Sequence, residues 1–214
     1  MTTSSLRTKN CALCGSTVAC PVLRSTNAFG SPDLDLRPPE MERSSMGLWL
    51  QECETCNYVA VDISKSADNA RNIVTSDDYK QISDVKISNL GSKFLRHALL
   101  CGNPKSRALS QLKAAWTCDD DHNDVVAATI RTAAADELLG VIDGNLSAEN
   151  INTVFVLIDI LRRCSRFDDA QCLILSLKEN PEVKNNEILT KLVGFQSTLC
   201  SAKDKACYTV SEAN

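Results

Sequence analysis

A chain of 214 residues with a formal net charge of −4, 43% apolar and 23% charged residues, has an ordinary globular composition and the length to bury a sizeable core. That balance excludes a disordered chain, and no apolar run reaches the roughly 18 to 20 residues of a membrane helix. Charge is spread evenly, six Lys or Arg against seven Asp or Glu in residues 1–65 and seventeen against twenty in residues 66–214. Neither part is the basic patch that phosphate binding depends on. The polar first ten residues do not read as a signal peptide. Eleven cysteines, an odd count without an export signal, read as reduced thiols in a cytoplasmic protein rather than as a disulfide scaffold.

In chain order, residues 1–10 are rich in Ser and Thr without apolar periodicity and are expected to be a disordered tail. Residues 11–65 have the texture of strands and loops. Leu48 and Leu50 alternate with Trp49 and Gln51, and Val59, Val61 and Ile63 with Ala60 and Asp62, the period-two signature of half-buried strands. Between them, residues 31–40 hold Pro32, Pro38 and Pro39, which block helix and central strand alike and predict a loop. From residue 66 to 202 the period becomes helical, with Leu90, Phe94, Leu95, Ala98 and Leu99 on one stripe and Val154, Leu157, Ile158 and Leu161 on another. Helices are expected over 67–80, 90–101, 105–118, 123–142, 149–164, 167–179 and 184–199. Gly102 with Pro104, residues 119–121, Ser147 and Pro181 divide them. Residues 203–214 are expected to be a loose tail or a short strand returning to the N-terminal unit. The expected fold is α+β, mostly α: a small β unit followed by antiparallel helical hairpins.

The sharpest signal is Cys11-Ala-Leu-Cys14-Gly15 and Cys53-Glu-Thr-Cys56-Asn57. Two thiolates separated by two residues bite one metal from a tight turn, and two such turns complete the tetrahedral sulfur set of structural zinc. Gly15 and Asn57 tolerate the positive φ that lets such a turn fold its amides back toward sulfur. Four cysteines close the coordination shell, whereas a catalytic zinc keeps a position open for water. Cys20, followed by Pro21 and without a near partner, is assigned to packing. The expected cofactor is one structural Zn2+ on Cys11, Cys14, Cys53 and Cys56, with iron as the competing metal. The pattern resembles a zinc ribbon with a 38-residue insertion between its knuckles.

A second string, Leu161-Arg-Arg-Cys-Ser-Arg166-Phe167-Asp-Asp169-Ala170 followed by Leu173, Leu177 and Pro181, resembles the tetratricopeptide pattern over about 50 residues, with Ser165 where Gly is expected. An ordinary helical hairpin accounts for it equally well. The split CxxC pair, the string Cys53-Glu-Thr-Cys-Asn-Tyr-Val-Ala60 and these helices together resemble a bacterial family of uncharacterised zinc-ribbon proteins with helical C-terminal halves. That resemblance implies architecture and metal, and no activity.

Other candidates are weighed against simpler roles. The 29–42 loop holds Asp33, Asp35 and Arg37, a possible binding loop; the plainer expectation is that Leu34 and Leu36 tuck inward while the charges face water. The acidic run Asp119, Asp120, Asp121 with His122 and Asp124 lacks the Gly of a cation loop and reads as a helix cap. His97 reads as a packing residue, and Cys101, Cys118, Cys164, Cys172, Cys200 and Cys207 as small apolar residues. No Gly-rich phosphate loop, GxSxG or HExxH string is present. The expected function is a non-catalytic zinc protein whose helical hairpins bind a protein or peptide. The alternatives are a nucleic-acid-binding ribbon, disfavoured by charge, or an enzyme using the 29–42 loop.

Overall fold

The computed structural model describes residues 1–142 and 146–213. Its first element corrects the expected disordered tail. Residues Thr3–Asn10 form β1, paired antiparallel with β2, Thr17–Ser25, in a register that sets Asn10 opposite Thr17 and Leu6 opposite Pro21. Ser and Thr on β1 carry no apolar alternation because the strand is largely solvent-exposed on both faces. The turn closing this hairpin is the first CxxC. A second, two-residue pair, β3 Gln51–Glu52 with β4 Val59–Ala60, is closed by the second CxxC.

Alternation in residues 48–51 and 59–63 overstates the second sheet. Arg43–Leu48 wind into a 3-10 turn, and beyond Ala60 the chain leaves the ladder. Ile63 is fully buried, its amide donating to the Gln51 side chain at 3.1 Å, whereas Val61 is exposed, so past Ala60 it is a turn and not a strand that directs the side chains. The helix expected over 67–80 is likewise two. Ser76 is extended and ends α1, Ala70–Thr75, while its hydroxyl accepts from Tyr79 N and starts α2, Asp77–Gln81.

The remaining helices follow their caps. α3, Asn89–Leu100, starts at Ser88; α4, Pro104–Asp120, at Asn103 with Pro104 at its first position. α5 spans Asp124–Ile142, α6 Ala148–Arg163 and α7 Phe167–Glu179. Pro181 opens the single turn α8, Pro181–Lys184, and Asn186 caps α9, Glu187–Ser201, so the helix expected at 184–199 starts and ends two to three residues later. Ser165, between α6 and α7, sits at φ 69°, the left-handed conformation that explains why Gly is expected there. α3 and α4 approach closely: a Cβ on Gly91 would lie 2.5 Å from Thr117 Oγ1.

Each helix from α3 to α7 packs on the next, and α9 packs on α6 and α7. One core runs through them from Phe94 and Leu112 to Leu138, Leu157, Ile174 and Val193, and it also takes in Met46, Leu50 and Val59 from the N-terminal segment. A second, smaller core gathers Cys11, Cys20, Cys53, Tyr58, Ile63, Ala70, Tyr79 and Leu100. The cysteine turns therefore share their apolar interior with α1, α2 and the end of α3.

The C-terminal segment returns to the N-terminal unit through an isolated bridge at the proline-rich loop, not at the cysteine turns. Leu34 N donates to Tyr208 O and Val210 N to Pro32 O, both at 2.9 Å, which bridges Asp33 and Thr209 and ties residues 208–210 to the proline-rich loop.

Candidate metal centre

The two CxxC turns are built alike. Gly15 N donates to Cys11 O at 2.9 Å and Asn57 N to Cys53 O at 2.7 Å; Cys11 N donates to Ser16 O and Cys53 N to Tyr58 O, both at 2.9 Å. Gly15 at φ 75° and Asn57 at φ 58° supply the left-handed residue each turn needs. The helical segment clamps both turns. Tyr79 Oη donates to Asn57 O at 2.7 Å, Arg71 Nη2 to Leu13 O at 2.7 Å, and Tyr58 Oη to Lys65 O at 2.8 Å while it accepts from Ala67 N. No sequence signal marks Arg71 or Tyr79, because their partners lie 58 and 22 positions away.

Cys11, Cys14, Cys53 and Cys56 bring their sulfurs within 4.8 Å of one another. Cys11 and Cys56 Sγ are 3.7 Å apart, Cys14 and Cys53 Sγ 3.5 Å. Four thiolates at about 2.3 Å from a tetrahedral ion have S···S edges of about 3.8 Å, so the donor set and its spacing fit such an ion. Burial raises the Cys11 and Cys56 thiols. Amides of Cys14 and Leu13 act the other way on Cys11, as that of Tyr58 does on Cys56. The Ser16 hydroxyl, then the Ser16 amide, hold Cys14 at about 6. A divalent cation removes the burial penalty on the others, since coordination deprotonates a thiol outright. Cys20 is buried outside this cluster.

The predicted loop residues Asp33, Asp35 and Arg37 lie elsewhere, and the expectation that the charges face water is reversed. All three are buried, Leu34 is buried with them, and Leu36, at φ 62°, is the exposed one. Asp35 Oδ2 accepts from Trp116 Nε1 at 2.8 Å and from Arg163 Nη1 at 3.4 Å, with Arg131 Nη2 at 3.8 Å. Asp33 pairs with Arg43 at 2.7 Å and Arg37 with Asp120 at 2.6 Å.

The acidic run is not the cap of α5 either. Asp119 takes a two-pronged bond from Arg131, at 2.9 and 2.6 Å, and a third from Arg163 at 2.9 Å; Asn123, not an Asp, accepts from Val126 N at the start of α5. Next to this network Arg162, fully buried, holds Asp159 at 2.6 Å and donates to Asp204 O and Ala206 O at 2.6 and 2.8 Å. The plan behind these buried charges is therefore to seat the loop and the C-terminal segment on α4 to α6.

His97 Nδ1 lies 2.9 Å from Ser110 Oγ, but that hydroxyl donates to Phe94 O at 2.9 Å. The imidazole therefore donates to the serine and does not activate it, and burial lowers its pKa further. Among the described residues no helix is long and apolar enough to cross a membrane. Comparison of the chain with protein-family models, curated proteins and solved structures returns no match.

Proposed function

We propose that the chain is a non-catalytic zinc protein in which one Zn2+ on Cys11, Cys14, Cys53 and Cys56 is structural, and in which the packed helices form a scaffold for a protein or peptide partner. The observation that carries the metal reading is the meeting of four sulfurs, from two turns of the same hydrogen-bond pattern, at spacings of 3.5 and 3.7 Å. Four thiolates leave no open position for water or substrate, so the ion's work is to join two segments 38 residues apart. Sulfur-only tetrahedral sets take zinc or iron. The scaffold reading is supported by the run of packed helices, each burying an apolar face against its neighbour.

Elemental analysis of the purified protein, with thiol titration before and after chelation, tests the metal reading. One zinc per chain and four thiols released only by chelator are expected. One iron with visible absorbance would replace zinc with a redox-capable centre, and no metal would end the reading. For the scaffold, crosslinking of the zinc-loaded chain in its own cell extract is expected to capture one recurrent protein through residues of α5 to α9. Capture through the β1–β2 hairpin by nucleic acid would overturn it.

A further inference from the structure

A cavity of about 480 Å3 opens between the cysteine turns and the segment α1 to α3. Its size falls within the range of about 300 to 1,000 Å3 usual for small-molecule pockets. Leu13 and Val74 give it apolar walls, and the aliphatic part of Arg71 adds to them. Three cations, Arg71, Lys80 and Arg96, line it together with the ligand cysteines Cys14 and Cys56, and no carboxylate does. We infer that this cavity binds a small amphipathic anion, one carboxylate, sulfonate or phosphate group on an apolar body.

Two guanidiniums are fixed before any ligand arrives. Arg71 is held by a neutral partner, the Leu13 carbonyl at 2.7 Å, and among the described residues it has no carboxylate at ion-pair distance. Arg96 is held by Glu52 at 3.0 Å and Ser83 at 2.7 Å, with its guanidinium 5.8 Å from the centre of the Tyr79 ring. Glu52, which does not line the cavity, also takes Lys93 at 3.1 Å, so Arg96 shares its carboxylate with a second cation. Among the described residues Lys80 pairs only with the exposed Asp77, at 3.9 Å.

Four thiolates on one divalent ion carry a net negative charge, and these cations offset part of it at a distance. They do not bond to sulfur, however. Among the described residues the Arg71 guanidinium donates to the Leu13 carbonyl and that of Arg96 to Glu52 and Ser83. Arg71 thus keeps donor capacity toward the cavity, and a fixed guanidinium beside apolar walls matches an anionic head on an apolar tail.

The test uses the full metal-loaded chain and two fluorescent probes that differ by one charged group, 8-anilino-1-naphthalenesulfonate and the uncharged N-phenyl-1-naphthylamine. Saturable one-site binding of the sulfonate is expected, at least about tenfold tighter than the uncharged probe, with amide shifts clustered at Leu13, Asn57 and Val74. Arg71→Gln is expected to weaken the sulfonate about fivefold or more. Thr75→Glu, which adds a carboxylate at an exposed position of the cavity wall, is expected to do the same. Elemental analysis of each variant separates loss of the site from loss of the metal. Equal affinity for the two probes, unsaturable binding, or two metal-replete variants that bind as tightly as the parent would each overturn the inference and leave the cations as counter-charge to the sulfurs.

Discussion

Trp116 donates its indole N–H to Asp35 at 2.8 Å across 81 positions of sequence, and neither side chain reaches solvent to any extent. That bond joins the C-terminal part of α4 to the proline-rich loop, and the same carboxylate oxygen also receives Arg163. Removal of Asp35 therefore strands the indole and takes from Arg163 one of its two carboxylates, Asp119 remaining, with Arg131 losing a nearby charge. Asp35→Ala should cost about 3–5 kcal/mol, the usual result of breaking a buried ion pair. Trp116→Phe leaves the carboxylate its arginine and should cost about 1–3 kcal/mol. Urea denaturation of both variants checks the order, and equal losses would show that Arg163 contributes nothing.

Arg162 makes a second tie, from α6 to the C-terminal segment. Its guanidinium holds Asp159 and two backbone carbonyls, with the Tyr208 ring 5.7 Å away. Arg162→Met should cost about 3–5 kcal/mol, because Asp159 is left buried without its partner. Hydrogen exchange should also speed up at residues 204–210 before the rest of the chain responds. Uniform exchange across the molecule would argue that the segment is held by other contacts.

Acid should reveal the Asp119 network. Burial alone would raise this carboxyl; hydrogen bonds from Arg131 and the charges of Arg131 and Arg163 reverse that and leave it below the usual carboxylate range. A depressed carboxylate contributes stability that is present above its unfolded pKa of about 4 and is lost as the pH falls through its folded value. Asp62, held at about 2 by Lys9 and then Ser64, follows the same sign but is partly exposed. Below about pH 4, Asp119→Asn should flatten the fall in stability, whereas Asp62→Asn should change it by less than about 1 kcal/mol. Parallel acid limbs for wild type and Asp119→Asn would refute the assignment.

Cysteine substitutions should separate ligand from filler. Apparent zinc-binding energies in small finger peptides reach about 10–16 kcal/mol, so Cys53→Ser should abolish metal and unfold both turns with α1 and α2, which share the smaller core. Cys20→Ala removes a buried non-ligand and should keep one metal per chain at a cost of about 1 kcal/mol. Loss of metal in Cys20→Ala would mean that the ligand set is different.

Thiol reactivity in the native, metal-loaded chain should single out Cys172, an exposed cysteine outside the metal cluster. Burial pushes Cys118 and Cys200 up to about 11. Cys207 is exposed as a residue, yet burial around its sulfur pushes it up to about 12. With a thiol reagent at about pH 8, the fast phase should disappear in Cys172→Ser. A fast phase that survives would place a reactive thiol at Cys207 or at an open metal site.

Local chemistry written in consecutive residues was readable from the chain itself. Paired CxxC spacing with Gly15 and Asn57 implies two like turns, and 3.6-residue apolar periods with Ser, Asn and Pro at their starts place α3 to α7 within two residues of the structure. These are effects of neighbours, and the sequence lists neighbours. β1 was missed because a strand exposed on both faces carries no apolar alternation. The 31–40 loop was misjudged for a different reason. A carboxylate such as Asp35 faces water unless counter-charges meet it, and Trp116, Arg131 and Arg163 come from positions 81 to 128 residues away. Only the packing of α4, α5 and α6 against one another brings those three together, and with them the burial of the loop and the docking of the C-terminal segment.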